Sequence, residues 1–312
     1  MYLVCGEALF DVFIQDDGAR SSELAFKAIA GGSPFNVAVG LRRLGVDSAL
    51  FTGISSDYLG ARLRRVLGDE GVSDAYLVDS DAPTTLAMVG VDAHGSPQYS
   101  FRGEGCADRQ LRPEHLPPLD HQVRGLHVGS FSLVVSPVGD TLLELVQREH
   151  NQRLISLDPN VRLNPAPDIA RWRERVEAFA AYAHLIKVSE EDLQLLYPEQ
   201  DPQQVAAGWL GERCHLVFLT HGSDGASVHS RHGQWSVPAV AVQTRDTVGA
   251  GDTFQAALIS YLIRHGLDSP QALASVSREH IDAMLRFAVR AAALTCSRVG
   301  PDLPYRHELD AV

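Results

Sequence analysis

No stretch of the sequence approaches the ~20 uninterrupted apolar residues that a membrane span needs. There is no Lys/Arg-rich tract, and a formal net charge of -12 disfavours a nucleic-acid surface. The four cysteines, Cys5, Cys106, Cys214 and Cys296, lie far apart, with no CxxC pair or Cys/His spacing suited to zinc. In a chain of 312 residues they read as reduced thiols and not as a disulfide framework. The opening MYLVCGEALFDVF lacks the basic segment of a signal peptide and reads as a strand start. These absences predict a cytoplasmic protein without nucleic-acid or membrane partners. Neither GxxxxGK[ST] nor a strand-following GxGxxG occurs, which removes the P-loop and the dinucleotide fingerprint of a dehydrogenase.

What is present is the balance of a soluble globular protein, 45% hydrophobic and 21% charged, in a chain long enough for a large core. Short apolar runs at 2–5, 48–54, 125–131, 153–158, 184–189 and 216–222 read as buried strands. Helical patterns lie between and after them, at 33–45, 57–70, 137–150, 168–182, 202–213, 250–265 and 279–296. In the first, Ser33 is placed as N-cap, Pro34 at the first helical position and Gly45 as the stop. This alternation predicts a mostly parallel sheet covered on both faces. Two stretches, 11–32 and 84–105, read as antiparallel strands, the second pair joined by a turn at AHGSP. They form either a small separate lid or an edge extension of the main sheet. One domain over 1–312 with inserted strands fits better than two.

The segment DTVGAGDTF (246–254) enters a helix through a glycine turn. The N–H groups of Gly249, Ala250, Gly251 and Asp252 precede the first helical hydrogen bond, and glycine permits close approach. With the helix dipole behind them they suit an anion hole, and they suit a tight turn started by Asp252 equally well. An ionised Asp252, held by the dipole and nearby N–H groups, fits a general base in phosphoryl transfer. Asp246 lies too early to share that turn; a bound monovalent cation or a turn cap accounts for it. A second glycine-led helix start, GGSPFNVAVG (31–40), offers Gly31, Gly32 and the Asn36 amide. Asp11 follows the first strand at the carboxyl-end edge where open α/β sheets bind ligands. Together these groups suit a polyhydroxylated molecule. THGSDG (220–225) runs a strand into a glycine turn with Thr220 at its end. In DPNVR (158–162), Asn160 and Arg162 follow a halted strand, and Arg162 fits either a phosphate or a surface salt bridge.

The order and spacing of these pieces resemble the PfkB, or ribokinase-like, carbohydrate kinases over nearly the whole chain. GGSPFNVAVGLRRLG and DTVGAGDTF match that family's two signatures, and CGEALFD, PTTLAMV, SFRGEGCADR, HVGSFSL, DPNVR, KVSEED and THGSDG lie where its bacterial fructokinases carry similar stretches. The resemblance implies a ribokinase-like three-layer α/β/α fold with a mostly parallel central sheet. It also implies a small β-sheet lid, from strands at about 12–30 and 85–104. The implied chemistry is ATP-dependent phosphorylation of a sugar hydroxyl, with Mg2+ bridging the ATP phosphates.

On that resemblance Asp252 matches the catalytic base and the Gly249, Ala250 and Gly251 backbone the anion hole. Asp11, Gly31, Gly32 and Asn36 match sugar contacts, with Arg102 reaching in from the lid. Thr220, Gly222 and Gly225 match the ATP-binding turn. Lys187 and Ser189, with Asn160 and Arg162, match the phosphate path, where Arg162 also serves the substrate. The segment ending in Gly300 resembles the adenine-side helix and loop. Asp246 and the Val248 carbonyl match a potassium site. The family's Asn-x-x-Glu motif is replaced by Ser189-Glu190-Glu191-Asp192, in which Asp192 would serve the outer shell of Mg2+ at changed distances.

The expected activity is that of a fructokinase, D-fructose and ATP giving D-fructose 6-phosphate and ADP. A kinase for 2-keto-3-deoxygluconate, ribose or tagatose is the alternative, because one hydroxyl or carboxylate decides between them. A non-catalytic sugar-binding protein is disfavoured by the intact base and anion hole. A homodimer through the lid would cover an otherwise exposed small sheet, and a monomer stays equally open.

Overall fold

The computed structural model describes residues 1–15, 22–91 and 97–310. Its first elements are β1 (Tyr2–Cys5), β2 (Leu9–Gln15), β3 (Ala25–Gly31), α1 (Ser33–Arg43), β4 (Ser48–Ser55), α2 (Tyr58–Asp69) and β5 (Leu77–Ser80). Then come β6 (Thr85–Val91), β7 (Pro97–Arg102), β8 (Gly125–Gly129), α3 (Val138–Glu149), β9 (Leu154–Asp158), α4 (Ile169–Ala180), β10 (Leu185–Ser189) and α5 (Glu190–Leu196). The chain closes with α6 (Pro202–Gly208), β11 (Leu216–Thr220), β12 (Ala226–Ser230), β13 (Gly233–Val237), α7 (Ala250–Arg264), α8 (Pro270–Ala274), α9 (Arg278–Cys296) and α10 (Arg306–Asp310).

The main sheet has the order β13-β12-β11-β10-β9-β8-β1-β4-β5. Every neighbour pair from β11 to β5 is parallel, and β12 and β13 add an antiparallel hairpin at one edge. Runs such as SALFTGIS in β4 are buried at every position, as expected of a parallel strand with helices on both faces. One face packs Val37 and Leu41 of α1 against Phe254 and Leu258 of α7 and Met284 and Leu285 of α9. The other holds Leu142 and Val146 of α3 with Trp172, Val176 and Phe179 of α4. At Gly40 a Cβ would stand 2.5 Å from Leu303 Cδ2 and 3.0 Å from the Cβ of Ala256, so the missing side chain lets α1 pack closely on α7. That contact carries the start of α1 to the start of α7.

The stretches at 11–32 and 84–105 form a separate sheet, order β3-β2-β6-β7, and not an extension of the main one. The pairs β2–β3 and β6–β7 are antiparallel, and β2–β6 is parallel. Most of the expected AHGSP turn lies outside the described residues. One register row runs Ile29, Asp11, Ala87, Phe101, and the next runs Ala30, Phe10, Leu86, Arg102. Directly opposed residues share a face, so adjacent rows point to opposite sides. Among the described residues no helix is long and apolar enough to cross a membrane.

Four details depart from the sequence reading. The helix expected over 202–213 stops at Gly208, and α5, α8 and α10 are additional short helices. The strands β5, β12 and β13 are additional too; β13 alternates exposed and part-buried residues and lacks an apolar run. Gly32, not Ser33, is the N-cap of α1, and no side chain caps that helix.

Candidate active site

Ser33 is freed from capping because its side chain faces the other helix. Its Oγ donates to Asp252 Oδ1 at 2.6 Å, and Asn36 Nδ2 donates to Oδ2 at 2.8 Å. Three apolar or small residues and a proline around them leave both donors buried with the carboxylate. Asp252 is 8% exposed at the third position of α7, after Gly249 as N-cap. Gly249 has φ +80, a left-handed turn that a side chain would strain. The first helical bond runs from Thr253 N–H to the Gly249 carbonyl, while the Ala250 N–H turns back to Thr247 O at 3.2 Å. The backbone ahead of that bond presents Gly251 and Asp252 N–H groups, and the dipole favours negative charge there. Burial is the largest influence on Asp252 and raises its pKa, with Ser33, Asn36, Lys187 and Arg162 pulling it back. The stabilising partners are thus α1 side chains more than the helix start that the sequence suggested.

Lys187, one of only two lysines in the chain, ends its side chain beside this turn. Its Nζ lies 2.9 Å from where a Cβ on Gly251 would stand, and it donates to Asp158 Oδ2 at 2.8 Å. Burial alone would depress the ammonium, but Asp158, Asp192 and Asp252 outweigh it and hold its pKa up. Asp158 is pushed up to about 6 by burial despite Lys187, so both stay ionised at neutral pH. Asp158 gave no sequence signal of its own: it reads as the last residue of a buried strand before Pro159. Asp192 closes a capping box with Ser189 and accepts the Val161 N–H at 2.8 Å. It thereby clamps the 158–162 segment, where Asn160 takes φ 40.

Asp11 leans over the glycines that precede α1: its Oδ2 lies 2.8 Å from where a Cβ on Gly31 would stand. Burial, then repulsion from Asp252, raises it to about 6, and Arg162 counters both. Arg162 is exposed and donates to its neighbouring carbonyl on Val161. Asp11, Arg162 and Asp252 therefore act on one another, with Gly31 beside Asp11 and Asn36 on Asp252, while Gly32 lies against Glu7. Arg102 does not join them. It is exposed and lies in the register row of Phe10, on the face opposite Asp11, while Phe101 shares the row of Asp11.

Thr220 ends β11 beside Ser189 of β10 and leads into a 3₁₀ turn at Gly222–Asp224 followed by Gly225. Asp246 ties two loops together, accepting from Val248 N–H at 3.0 Å and from Gly300 N–H at 2.8 Å. Gly300 faces the small sheet, with Ile29 its nearest neighbour on that side. The described residues hold no group of three or more His, Cys, Asp or Glu arranged to bind a metal unaided.

A buried carboxylate, a helix start and an ammonium at the carboxyl ends of parallel strands suit a phosphotransferase acting on an alcohol. The comparisons make this specific: the pfkB family carbohydrate kinase model matches residues 1–308, and the chain belongs to that family. It is 37% identical over 279 residues to a fructokinase of Rhizobium leguminosarum bv. trifolii, covering 89% of this chain and 85% of that one. A fructokinase from Xylella fastidiosa with bound ATP superposes with TM-score 0.88 at 27% identity, over 99% of this chain and 97% of the other. A double mutant of the Vibrio cholerae O395 fructokinase, bound to fructose, ADP and potassium, superposes with TM-score 0.82 at 26% identity, over 99% and 97%.

The Asp11 environment makes a prediction about stability. Its pKa lies near 6 in the fold against an ordinary 3.8, so the folded state binds the extra proton. Stability from this group is full below about pH 3.8 and lost as pH rises through about 6. Asp11→Asn should therefore raise the urea midpoint at pH 7 and leave it unchanged near pH 3.5, relative to the parent. Equal midpoint differences at the two pH values would show that Asp11 is not strained by its surroundings.

Proposed function

We propose that this carbohydrate kinase is a fructokinase, transferring the γ-phosphoryl group of ATP to the 6-hydroxyl of D-fructose. The observation that carries the reading is Asp252, buried at the start of α7 and oriented by Ser33 and Asn36. The fructokinase relatives supply the sugar. Asp252 takes the O6 proton as O6 bonds to the γ-phosphorus and the bond to the bridging oxygen breaks, releasing ADP. Its raised pKa makes it a stronger base than an exposed aspartate. The Gly249, Ala250 and Gly251 turn and Lys187 face the transferring group, and Thr220, Gly222, Gly225 and Gly300 frame the nucleotide. Asp11 and Asn36 hold sugar hydroxyls, with Gly31 and Gly32 leaving room.

Mg2+ fits through Asp158, whose Oδ1 is buried without a hydrogen-bond partner among the described residues. Magnesium commonly takes one or two carboxylates and completes its shell with phosphates and water, and bound with ATP it would neutralise phosphate charge. In this proposal Asp192, already clamping Val161, acts by holding Asp158 and Asn160 in place. Potassium is assigned to Asp246 and the Val248 carbonyl, behind the anion turn. The small sheet acts as a lid that excludes water over the sugar. Its edge strand β3 leaves Phe26 45% exposed beside Leu24 at 57%, which supports a homodimer through that sheet.

Four measurements test these assignments. Asp252→Asn should lower kcat by about 10²–10⁴-fold and leave fructose and ATP affinities nearly unchanged. In a coupled ADP-release assay over a sugar panel, fructose should give the highest kcat/KM; near-normal turnover by the variant, or a higher value for an acid sugar, overturns the reading. Replacing potassium by sodium at constant ionic strength should reduce kcat, and an unchanged rate removes the cation from the Asp246 site. Sedimentation should find a dimer that Phe26→Glu converts to monomer, whereas a monomeric parent refutes the lid interface.

A further inference from the structure

The seam between lid and body contains charges that the proposed reaction leaves unused. Arg109, in the 3₁₀ turn Ala107–Arg109, is 8% exposed. Its guanidinium caps two rings that touch edge to face with centroids 5.2 Å apart, lying 4.9 Å from the centroid of Phe101 and 4.9 Å from that of Phe131. Phe101 belongs to β7 of the lid, and Phe131 follows β8 of the main sheet. Arg109 Nε and Nη2 are buried and have no hydrogen-bond partner among the described residues. Asp108, 2% exposed, accepts from Thr85 Oγ1 of β6 through Oδ1 at 2.6 Å and leaves Oδ2 equally unpartnered. Glu7 is buried nearby and is occupied by Ser132.

Leaving buried donors and an acceptor unmade is costly, and such groups call for an explanation. Here the unmade donors and the unmade acceptor sit on consecutive residues, and each residue touches a different lid strand. A ring face attracts a flat guanidinium over a broad area, so the two phenylalanines hold Arg109 without fixing its place along them. We propose that Arg109 is a positioning residue that latches the lid. As β6 and β7 close over the sugar, the guanidinium shifts across the outer faces of Phe101 and Phe131, and its free N–H groups donate to Asp108 Oδ2. Closure is then favoured by bonds that the open arrangement holds in reserve. The inference rests on the sugar-kinase reading, so the parent enzyme is first shown to turn over fructose in the same assay.

Arg109→Met keeps an apolar stem against the rings and removes the fork. It should raise the KM for fructose by about tenfold, the loss expected for a charged hydrogen bond, with the KM for ATP unchanged. Asp108→Asn should do the same, and the double variant should be no worse than the weaker single variant. Fructose should slow amide exchange in β6 and β7 of the parent enzyme but not of Arg109→Met. If that variant fails to fold, Arg109→Lys, which keeps the charge but loses the fork, should show the same rise in KM. A parental fructose KM and parental protection, or additive effects in the double variant, overturn the latch. A parent enzyme that turns over no sugar overturns the kinase reading itself, and the latch with it.

Discussion

The site depends on keeping one carboxylate, Asp252, out of water while two donors from another helix hold it. Removing a carboxylate from water costs several kcal/mol even after relaxation, and a hydrogen bond to a charged group returns roughly 1.5–3 kcal/mol. Bonds from Ser33 and Asn36 offset much of that cost without cancelling it, which agrees with a pKa that stays raised. Both donors lie at the start of α1, directly after the glycines that end β3. The small sheet, Gly31 and Gly32, Asp252 and the Gly249–Gly251 turn are therefore one mechanical chain. The close α1–α7 contact at Gly40 fixes the length of its middle link.

The charge count explains why an anion-binding turn can be surrounded by acids. Asp158, Asp192 and Asp252 act on Lys187, and Asp11 faces Asp252 with Arg162 beside them. Four carboxylates thus meet two cations before any nucleotide arrives. A triphosphate accompanied by cations meets less repulsion there than a bare one, and Asp158 holds one buried oxygen without a hydrogen-bond partner. Lysine at position 187 suits the space: a compact ammonium fits against the Gly251 backbone, where a planar guanidinium would need a wider slot. The other 25 basic residues, apart from Lys27, are arginines, so the choice is not a habit of composition.

Much of this was legible in the sequence because its signals were local. Fully buried strands such as β4 and β9 announce themselves as short apolar runs, and the helix entered through DTVGAGDTF carries its own start signal. What was not legible depended on partners distant in the chain. Ser33 has the chemistry of an N-cap, yet Asp252, 219 residues away, claims its hydroxyl. Arg102 has the chemistry of a sugar contact, yet strand register places Phe101, not Arg102, in line with Asp11. The pairing of Asp158 with Lys187 joins residues 29 apart on neighbouring strands, and no motif spacing marks it. The β12–β13 hairpin escaped because an edge strand needs no continuous apolar run.

Three acids at this end of the sheet, Glu7, Asp11 and Asp158, have pKa values pushed up to about 7, 6 and 6, with burial the largest cause in each. Each binds a proton more readily in the folded chain than in the unfolded one, so each withdraws stability as pH rises through its folded value. The fold therefore carries its electrostatic cost where strands end and ligands bind, and its apolar cores lie elsewhere. Solvation of these groups would relieve the cost but would admit water to the place where a phosphoryl group must meet a sugar hydroxyl and not water. Exclusion of water and loss of stability are two consequences of the same burial, which is why the strain sits at the site and not in the cores.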